Sequence, residues 1–324
     1  MKAALYRQTG RASEVLSVEE IETPEPGPGQ VRVRVTWSGV NPTDWKSRAG
    51  ITAGPPEGFQ VPHQDGSGVV DAVGDGVTDR EVGDRVWLYL AAFQNRHGTA
   101  AEYAVVPAGR TVPLPAGAGD ELGACLGVPA LTAAHALGGD PGAIAGADVL
   151  VAGGAGAVGH FAIELAKHAG ARVAATVSSP EKADLARAAG ADLVVDYRAP
   201  GAVEAIRGFA PTMDRVVEVA LGANLELDLA VAGPGTVIAV YANERDDPVV
   251  PTRRFMAANA TIHYLLLYGV PAAALAAARD WTSEALGAGA LSALPLHRFA
   301  LDETAAAQDA VEHGAIGKVL VRPG

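Results

Sequence analysis

The chain has 324 residues and a formal net charge of −12, from 25 Lys and Arg against 37 Asp and Glu. Hydrophobic residues make up 49%, and there is one cysteine, Cys125, so the chain can bury a core and cannot form an internal disulfide. The acidic balance disfavours nucleic acid as a partner. Since no apolar stretch reaches the roughly 20 residues of a membrane span, we expect no membrane partner. We expect a cytoplasmic protein of about two domains.

The first 120 residues are predicted to form a β-rich domain. Residues 31–35 alternate Val with Arg, which is typical of a half-solvated strand, and they follow a Pro- and Gly-rich segment at 24–29 that no helix would tolerate. Further strands are expected at 69–73, 85–88 and 102–106, with glycine turns between them. Short strands at this spacing indicate a barrel-like or partly open β domain.

From residue 121 onward, strands and helices alternate. Continuous apolar runs predict buried strands, and Gly170 and Gly190 are expected to end helices. The expected strands are 148–152, 172–177, 193–195, 215–219, 236–240 and 261–265; the expected helices are 158–168, 180–189 and 272–278; a last β element is expected at 318–321. Apolar strands separated by helices indicate a parallel sheet covered on both faces.

A glycine motif joins the first of these strands to the first helix. Gly154, Gly156 and Gly159 satisfy G-x-G-x-x-G, in which the glycines allow the turn, the approach of a pyrophosphate and close helix packing. The free N–H groups at the helix start, at Ala157 and Val158, are suited to bind the anion. In a chain with 39 glycines such a string could be a plain Gly/Ala-rich loop. Its place between a strand and a helix favours a dinucleotide site.

The end of the next strand predicts the cofactor. NAD sites usually carry an acid there, whereas this chain has Ser178 and Ser179. The hydroxyls can donate to a 2′-phosphate, and Lys182 can supply a cation, although Glu181 would oppose it. The residues therefore favour NADPH.

Metal-binding motifs are missing from the sequence. It contains no His-Glu-x-x-His and no paired cysteines. His63 with Asp65 beside it lacks two further zinc ligands, so an ordinary core histidine is the favoured interpretation.

Several segments in order carry a resemblance to a known family. The chain resembles the medium-chain dehydrogenase/reductase superfamily, in its zinc-free, zeta-crystallin-like quinone oxidoreductase branch, at residues 39–44, 66–74, 83–86, 98–103, 127–133, 153–159 and 317–319. The resemblance implies an α/β protein with a GroES-like β-rich catalytic domain at 1–121 and 266–324. It implies a Rossmann dinucleotide-binding domain, with a doubly wound parallel sheet, at 122–265.

The same resemblance implies that no zinc is bound. Zinc-dependent relatives carry a cysteine where this chain has Ser38, a His-Glu pair where it has Gln64 and Asp65, and a third ligand near Gly127. No ligand position is matched, which implies a metal-free reductase.

The resemblance also implies the cofactor contacts. Asn41 matches an asparagine near the nicotinamide, and Thr132 matches a threonine that contacts the cofactor. The residues that match family contacts at the 2′-phosphate end of the cofactor are Ser178, Lys182 and Tyr197. The residues expected to line the nicotinamide half are Tyr241 and Leu266.

The substrate side departs from the family. Lys46 and Thr52 stand where relatives often have tyrosines, which favours a more polar or acidic acceptor over a simple quinone. Trp45 could supply an aromatic wall or simply pack in the core. A polar group at Asn41, Asp44 or Lys46 is the candidate for stabilising the developing oxyanion of the acceptor.

The implied activity is hydride transfer from NADPH to a small-molecule acceptor, a quinone or an α,β-unsaturated carbonyl compound. An alternative is an enoyl reductase acting on an enone or acyl thioester. An alternative of another class is a non-catalytic NADPH-binding redox sensor. The resemblance further implies a homodimer formed through the strand at 261–265.

Overall fold

The computed structural model describes residues 1–242 and 247–324. Its strands are β1 (Lys2–Leu5), β2 (Ser17–Glu20), β3 (Gln30–Val40), β4 (Asp65–Val73), β5 (Arg85–Leu88), β6 (Tyr103–Pro107), β7 (Thr111–Pro113), β8 (Asp148–Val151), β9 (Arg172–Val177), β10 (Leu193–Asp196), β11 (Arg215–Glu218), β12 (Val237–Val240), β13 (Thr261–Tyr264), β14 (Leu296–Ala300) and β15 (Lys318–Arg322). Its α-helices are α1 (Ala12–Val15), α2 (Pro42–Arg48), α3 (Asp120–Ala136), α4 (Ala157–His168), α5 (Pro180–Ala188), α6 (Ala202–Phe209), α7 (Leu221–Val231), α8 (Thr252–Ala258), α9 (Ala272–Gly287) and α10 (Thr304–Glu312). Within the described residues, no helix is long and apolar enough to cross a bilayer.

The chain divides into two compact units. The first unit comprises Met1–Val128 and Pro295–Gly324, and the second comprises Pro129–Leu294. As expected, the first unit is therefore discontinuous in sequence. The division differs from the predicted one at both ends, because 122–128 lie in the first unit and 266–294 lie in the second.

The segment at 266–294 belongs to the second unit because the large apolar side chains of the second half of α9 and of the residues after it are buried there. Trp281 on α9 is buried, and α9 packs on α4. Beyond α9, the Ser292 N–H donates to Glu164 Oε2 on α4 at 3.0 Å. Helix α9 was predicted only over 272–278, where the sequence is almost pure alanine.

The first unit is built on a mostly antiparallel sheet around the long strand β3, in which only β14 and β15 pair in parallel among the described strands. The sheet order is β14-β15-β3-β4-β5-β7, with β6 also paired to β3. In β3, Val31, Val33 and Val35 face the core and Arg34 is exposed, which confirms the predicted alternation. Strands β4 and β15 flank β3, with Asp65 opposite Gly39 and Val319 opposite Val40. This register brings the start of β4 and the start of β15 to the end of β3.

The second unit is a six-stranded parallel sheet of order β10-β9-β8-β11-β12-β13. All six predicted strands are present, and the central strand β8 is fully buried at Val149, Leu150 and Val151. Successive connections run outward from β8 on one side and from β11 on the other. The order therefore reverses between β8 and β11, which is where such sheets bind ligands at their carboxyl edge.

Candidate active site

The glycine loop after β8 has the geometry that its spacing predicts. A Cβ on Gly159 would lie 2.4 Å from the Gly153 carbonyl oxygen, and one on Gly154 would lie 2.9 Å from Ala175 Cβ. These two positions therefore require glycine for packing. Gly156 is exposed, and its nearest protein atom would be 3.4 Å from an added Cβ. The space in front of Gly156 is open to a ligand.

Helix α4 begins directly behind this open space. Its N-cap is Gly156, which has no side chain to cap the helix. The first N–H groups of an α-helix, here those of Ala157 and Val158, have no partner within the helix and carry the positive end of its dipole. The arrangement fits a pyrophosphate.

The carboxyl end of β9 forms a small cationic corner. Lys182 Nζ donates to Ser178 Oγ at 3.1 Å, so these two predicted phosphate contacts do meet. The Ser179 hydroxyl instead accepts from the Lys182 N–H at 3.3 Å and caps α5. Glu181 is exposed on the first turn of that helix. The predicted phosphate site therefore has one hydroxyl engaged in capping and one beside the ammonium group.

Arg198 adds a second cation to this corner and was missed in the sequence. Its guanidinium donates to the Ser178 carbonyl oxygen and pairs with Asp196 at 3.0 Å. It also lies 5.7 Å from the centre of the Tyr197 ring. A signal was present, since Arg198 directly follows Tyr197 at the end of β10 and β10 pairs with β9.

A pocket of about 310 Å³ lies at the ends of β12 and β13. Tyr241 and Leu266, which we expect to line the nicotinamide half of the cofactor site, both line this pocket. The other lining residues are Val240, Ala242, Tyr264 and Leu265. Leu266 is 66% exposed and Tyr264 in the same pocket is 61% exposed, so the pocket presents an apolar lining to solvent. Thr132 lies elsewhere, buried on α3.

In the first unit, Asn41, Asp65 and Lys318 form a buried cluster that we call the Asn41 cluster. Lys318 Nζ donates to Asn41 Oδ1 at 2.6 Å, and Asn41 Nδ2 donates to Asp65 Oδ2 at 2.6 Å. All three side chains are nearly inaccessible to solvent. Burial raises the pKa of Asp65 to about 6, against the lowering effect of Lys318 and Asn41. Sequence reasoning had named Asn41 as a site residue, and it had assigned neither Asp65 nor Lys318 a place beside it.

Asp44 lies next to this cluster with its carboxylate turned to the backbone. Its Oδ2 accepts from the Asn41 N–H at 2.7 Å, at the start of α2. Burial raises the pKa of Asp44 to about 8, with a further rise from the nearby Asp65. The contact orders the β3–α2 junction, and a catalytic role for Asp44 stays a prediction.

The residues at the positions matched to zinc ligands do not fit a zinc ion. Ser38 Oγ is bonded to His63 Nδ1 at 2.8 Å and to Thr99 Oγ1 at 2.7 Å. Gly127 has no side chain to offer. Within residues 1–242 and 247–324, no group of three or more His, Cys, Asp or Glu is placed to hold a metal ion. His63 itself is fully buried, and burial lowers its pKa to about 3.

The predicted acceptor side of the site lies on α2 and after it. Lys46 Nζ is 6.0 Å from the centre of the Trp45 ring. The Trp45 indole N–H is buried and has no partner among the described residues. Thr52 is exposed and its hydroxyl is 3.0 Å from that of Ser47. Trp45 and Lys46 are therefore adjacent, and Thr52 lies one turn beyond them.

Comparisons with known proteins agree with this fold. The alcohol dehydrogenase GroES-like domain matches residues 27–116, and the zinc-binding dehydrogenase family matches 157–284. A rat (Rattus norvegicus) quinone oxidoreductase is 33% identical over 230 residues, 70% of this chain and 69% of that protein. A 2-haloacrylate reductase from a Burkholderia species is 34% identical over 216 residues, 64% of this chain and 62% of that protein.

Solved structures match along the whole chain. An NAD-dependent alcohol dehydrogenase is 28% identical with a TM-score of 0.88, and 100% of both chains is covered. A mycobacterial protein in complex with NADPH is 28% identical with a TM-score of 0.85, again over 100% of both chains. Together, a GroES-like unit and a Rossmann unit define an oxidoreductase with a nucleotide site. The chain belongs to the medium-chain dehydrogenase/reductase superfamily, in its zeta-crystallin-like quinone oxidoreductase branch.

Proposed function

We propose that this oxidoreductase uses NADPH, works without zinc, and reduces a quinone or an α,β-unsaturated carbonyl compound. The observation that carries the proposal is the cationic corner at Ser178, where Lys182 and Arg198 converge. The solved relatives differ in the nucleotide they are described with, NAD in one and NADPH in another. The choice for this chain therefore depends on its own residues at the end of β9.

The protein's part in the reaction is binding and orientation. Bound NADPH supplies the hydride from its nicotinamide ring. The α4 N-terminus and the open face of Gly156 hold the pyrophosphate, and the cationic corner holds the 2′-phosphate. Tyr241 and Leu266 supply an apolar wall that favours the uncharged part of the nucleotide and excludes water. The rate enhancement comes mainly from holding the reactants in place.

The acceptor needs a positive or donating group where its oxygen gains charge. Lys46 supplies an ammonium group beside Trp45, and the unpartnered Trp45 indole N–H is a neighbouring donor. Lys46→Met is expected to lower kcat/KM for an acceptor by about 10-fold, equivalent to about 1.4 kcal/mol. Unchanged kinetics with every acceptor would remove Lys46 from the mechanism.

A conjugated carboxylate is the second candidate acceptor. A lysine at position 46 favours an anionic substrate, and one relative is described as a 2-haloacrylate reductase. A panel of quinones, enones, enoyl thioesters and 2-haloacrylates, each run with NADPH and with NADH, separates the candidates. Turnover of none of them, with tight NADPH binding, would instead support the redox-sensor alternative.

Zinc independence has its own test. Dialysis against a chelator is expected to leave turnover unchanged, because the matched positions provide no ligand set. Loss of activity that returns with added Zn²⁺ would overturn this part of the proposal.

We also propose a cytoplasmic homodimer that forms along β13. This strand is at the edge of the sheet, and Tyr264 on it is 61% exposed. An exposed strand edge with an aromatic side chain is a ready surface for a second copy. Light scattering on the purified protein is expected to give twice the mass of the chain, and Tyr264→Lys is expected to shift the population towards monomer.

A further inference from the structure

Both ends of the Asn41 amide are fixed by charged side chains from distant parts of the first unit. Its oxygen accepts from Lys318 at 2.6 Å and its nitrogen donates to Asp65 at 2.6 Å. Since Lys has only donors and an ionised Asp only acceptors, the amide can face in one direction only. The Asn41 side chain is therefore held in a single orientation.

The two charged partners are themselves anchored to the backbone. Lys318 Nζ also donates to the Val40 carbonyl at 3.1 Å, and Asp65 Oδ1 accepts from the Val128 N–H at 2.8 Å. The ammonium and carboxylate are 3.8 Å apart. These contacts tie β3, β4, β15 and α3 together around Asn41.

The Asp65 carboxylate occupies the space in which a side chain at position 127 would lie. A Cβ on Gly127 would be 2.1 Å from Asp65 Oδ1. A side chain at 127 and this placement of Asp65 therefore exclude each other. In the zinc-dependent relatives that the chain resembles, a ligand lies near this position, whereas here a buried ammonium group supplies the local positive charge.

We propose that Lys318 and Asp65 are positioning residues that fix Asn41 for the nicotinamide end of NADPH, with Lys318 as the resident cation of a site that does not fit zinc. This rests on the proposed function, because it assigns Asn41 to the nucleotide. Lys318 and Asp65 act through Asn41 and do not touch the reacting atoms.

The test uses two ligands for the full-length protein. Adenosine 2′,5′-bisphosphate carries the 2′-phosphate but no nicotinamide, whereas NADPH carries both. Single variants leave one buried charge without a partner, so the main variant is the double Asp65→Asn/Lys318→Met, which removes both charges and keeps side-chain size. We expect it to weaken NADPH by about 10-fold and to lower kcat, while the bisphosphate affinity changes by less than about 2-fold.

The second part of the test adds the Asn41→Ala substitution. If Lys318 and Asp65 act through Asn41, adding Asn41→Ala to the double variant is expected to cause no further loss of NADPH affinity. Additive losses, or a double variant with wild-type NADPH affinity and kcat, would overturn the proposal. Wild-type protein that binds neither ligand would instead refute the proposed function.

Arg48→Met is the matched control. Arg48 is a second buried cation of the first unit, paired with Glu312 at 2.9 Å and bonded to Gln308. Its loss is expected to lower the melting temperature without changing the ratio of NADPH to bisphosphate affinity. A changed ratio in this control would mean that any buried cation in the unit affects the site, and the specific role of Lys318 would be refuted.

Discussion

Each unit of the molecule buries a pair of charged side chains, and the two pairs are of opposite kinds. In the first unit, Asp65 lies against Lys318, and both are under 5% exposed. In the second unit, Glu218 at the end of β11 lies against Asp228 on α7, and both are fully buried. One pair joins unlike charges and the other joins two acids.

Two ionised carboxylates buried side by side repel each other, which favours a proton held between them. Glu218 Oε1 accepts from the Ala220 N–H and from Asn224 Nδ2. Glu218 Oε2 and both Asp228 oxygens have no donor among the described residues. Burial raises the pKa of both carboxyls, and at Asp228 the neighbouring Glu218 adds to the rise. A protonated Asp228 that donates to Glu218 would give a partner to Glu218 Oε2 and to one of the two Asp228 oxygens.

The two units accommodate their buried charged groups in different ways. The Asp65–Lys318 pair depends on two segments that are far apart in sequence meeting with good geometry, so removal of either partner leaves an uncompensated charge. The Glu218–Asp228 pair depends on a proton, so it responds to pH. The first pair is sensitive to mutation and the second to solution conditions.

The largest expected effect comes from breaking the unlike pair. Lys318→Met is expected to lower the free energy of unfolding by about 3–5 kcal/mol, because it leaves the Asp65 carboxylate buried without its cation. The double variant Asp65→Asn/Lys318→Met is expected to recover most of this loss. Urea unfolding of the three proteins at one pH measures both effects, and equal stability of the single and double variants would contradict the charge argument.

The pair of acids predicts a loss of stability as pH rises. The folded-state pKa of Asp228 is raised to about 9 from an ordinary value near 3.8. The folded state therefore holds a proton that the unfolded state has released, so the stabilisation is complete below the ordinary pKa and is lost as pH rises through about 9. Between neutral pH and pH 9 we expect a loss of up to about 1.4 kcal/mol per pH unit.

Asp228→Asn tests that prediction, because an amide donates to Glu218 without titrating. Urea unfolding at neutral and alkaline pH is expected to show a flatter dependence for the variant than for the wild type. Asp44, whose pKa is also raised, is present in both proteins and cancels in the difference. The other titratable group against the pair is Tyr241, whose pKa is raised first by burial and then by Glu218. Parallel pH profiles would refute proton sharing.

The other charged groups near the pair, among the described residues, face solvent. On the helices that pack against α7 these are Glu204, Arg207, Arg253 and Arg254. Arg254 is paired with Glu226 at 2.5 Å on the surface. On the neighbouring strand β8, Asp148 is at the opposite end of the sheet. None of these groups contributes to the raised pKa of Asp228.

A smaller effect is expected from crowding Asp65. Gly127→Ala places a Cβ against the carboxylate and is expected to cost about 1–3 kcal/mol of stability. Gly119→Ala is the control, because nothing lies within 4 Å of an added Cβ there. In an Asp65→Ala background the Gly127 substitution should cost much less, because only the contact with the Leu88 carbonyl oxygen at 3.0 Å remains. Thermal unfolding measures all of these, and an undiminished cost would mean that the crowding does not arise from Asp65.

The smallest effect is expected at Lys182, whose charge is only half-buried, unlike the charges of the two buried pairs. Lys182→Ala is expected to weaken NADPH by about 1–2 kcal/mol and NADH far less, because Arg198 remains and solvent screens the site. Fluorescence titration with both nucleotides gives the two constants. Equal affinity of the wild type for NADPH and NADH would contradict the cofactor assignment.

Local patterns in the sequence were sufficient for much of the fold. The six parallel strands were predicted because each is a continuous apolar run between helices, and the glycine loop because its spacing has a direct steric cause. Ser178 and Lys182 were also predictable, since they lie one helical turn apart after β9. We expected the chain to re-enter the first unit at residue 266, whereas it does so at Pro295. An alanine-rich helix carries no sequence signal of which unit it packs against.

The sequence by itself determined the glycine loop, because the loop depends on residue type and short spacing. The unmatched zinc-ligand positions and the candidate role of Asn41 came from the family resemblance. Only the tertiary structure decided what surrounds Asn41. Asp65 and Lys318 meet because β4 and β15 both pair with β3, a long-range register that no local pattern encodes. The same holds for Glu218 and Asp228, which folding buries side by side, and this burial raises the pKa of both carboxyls.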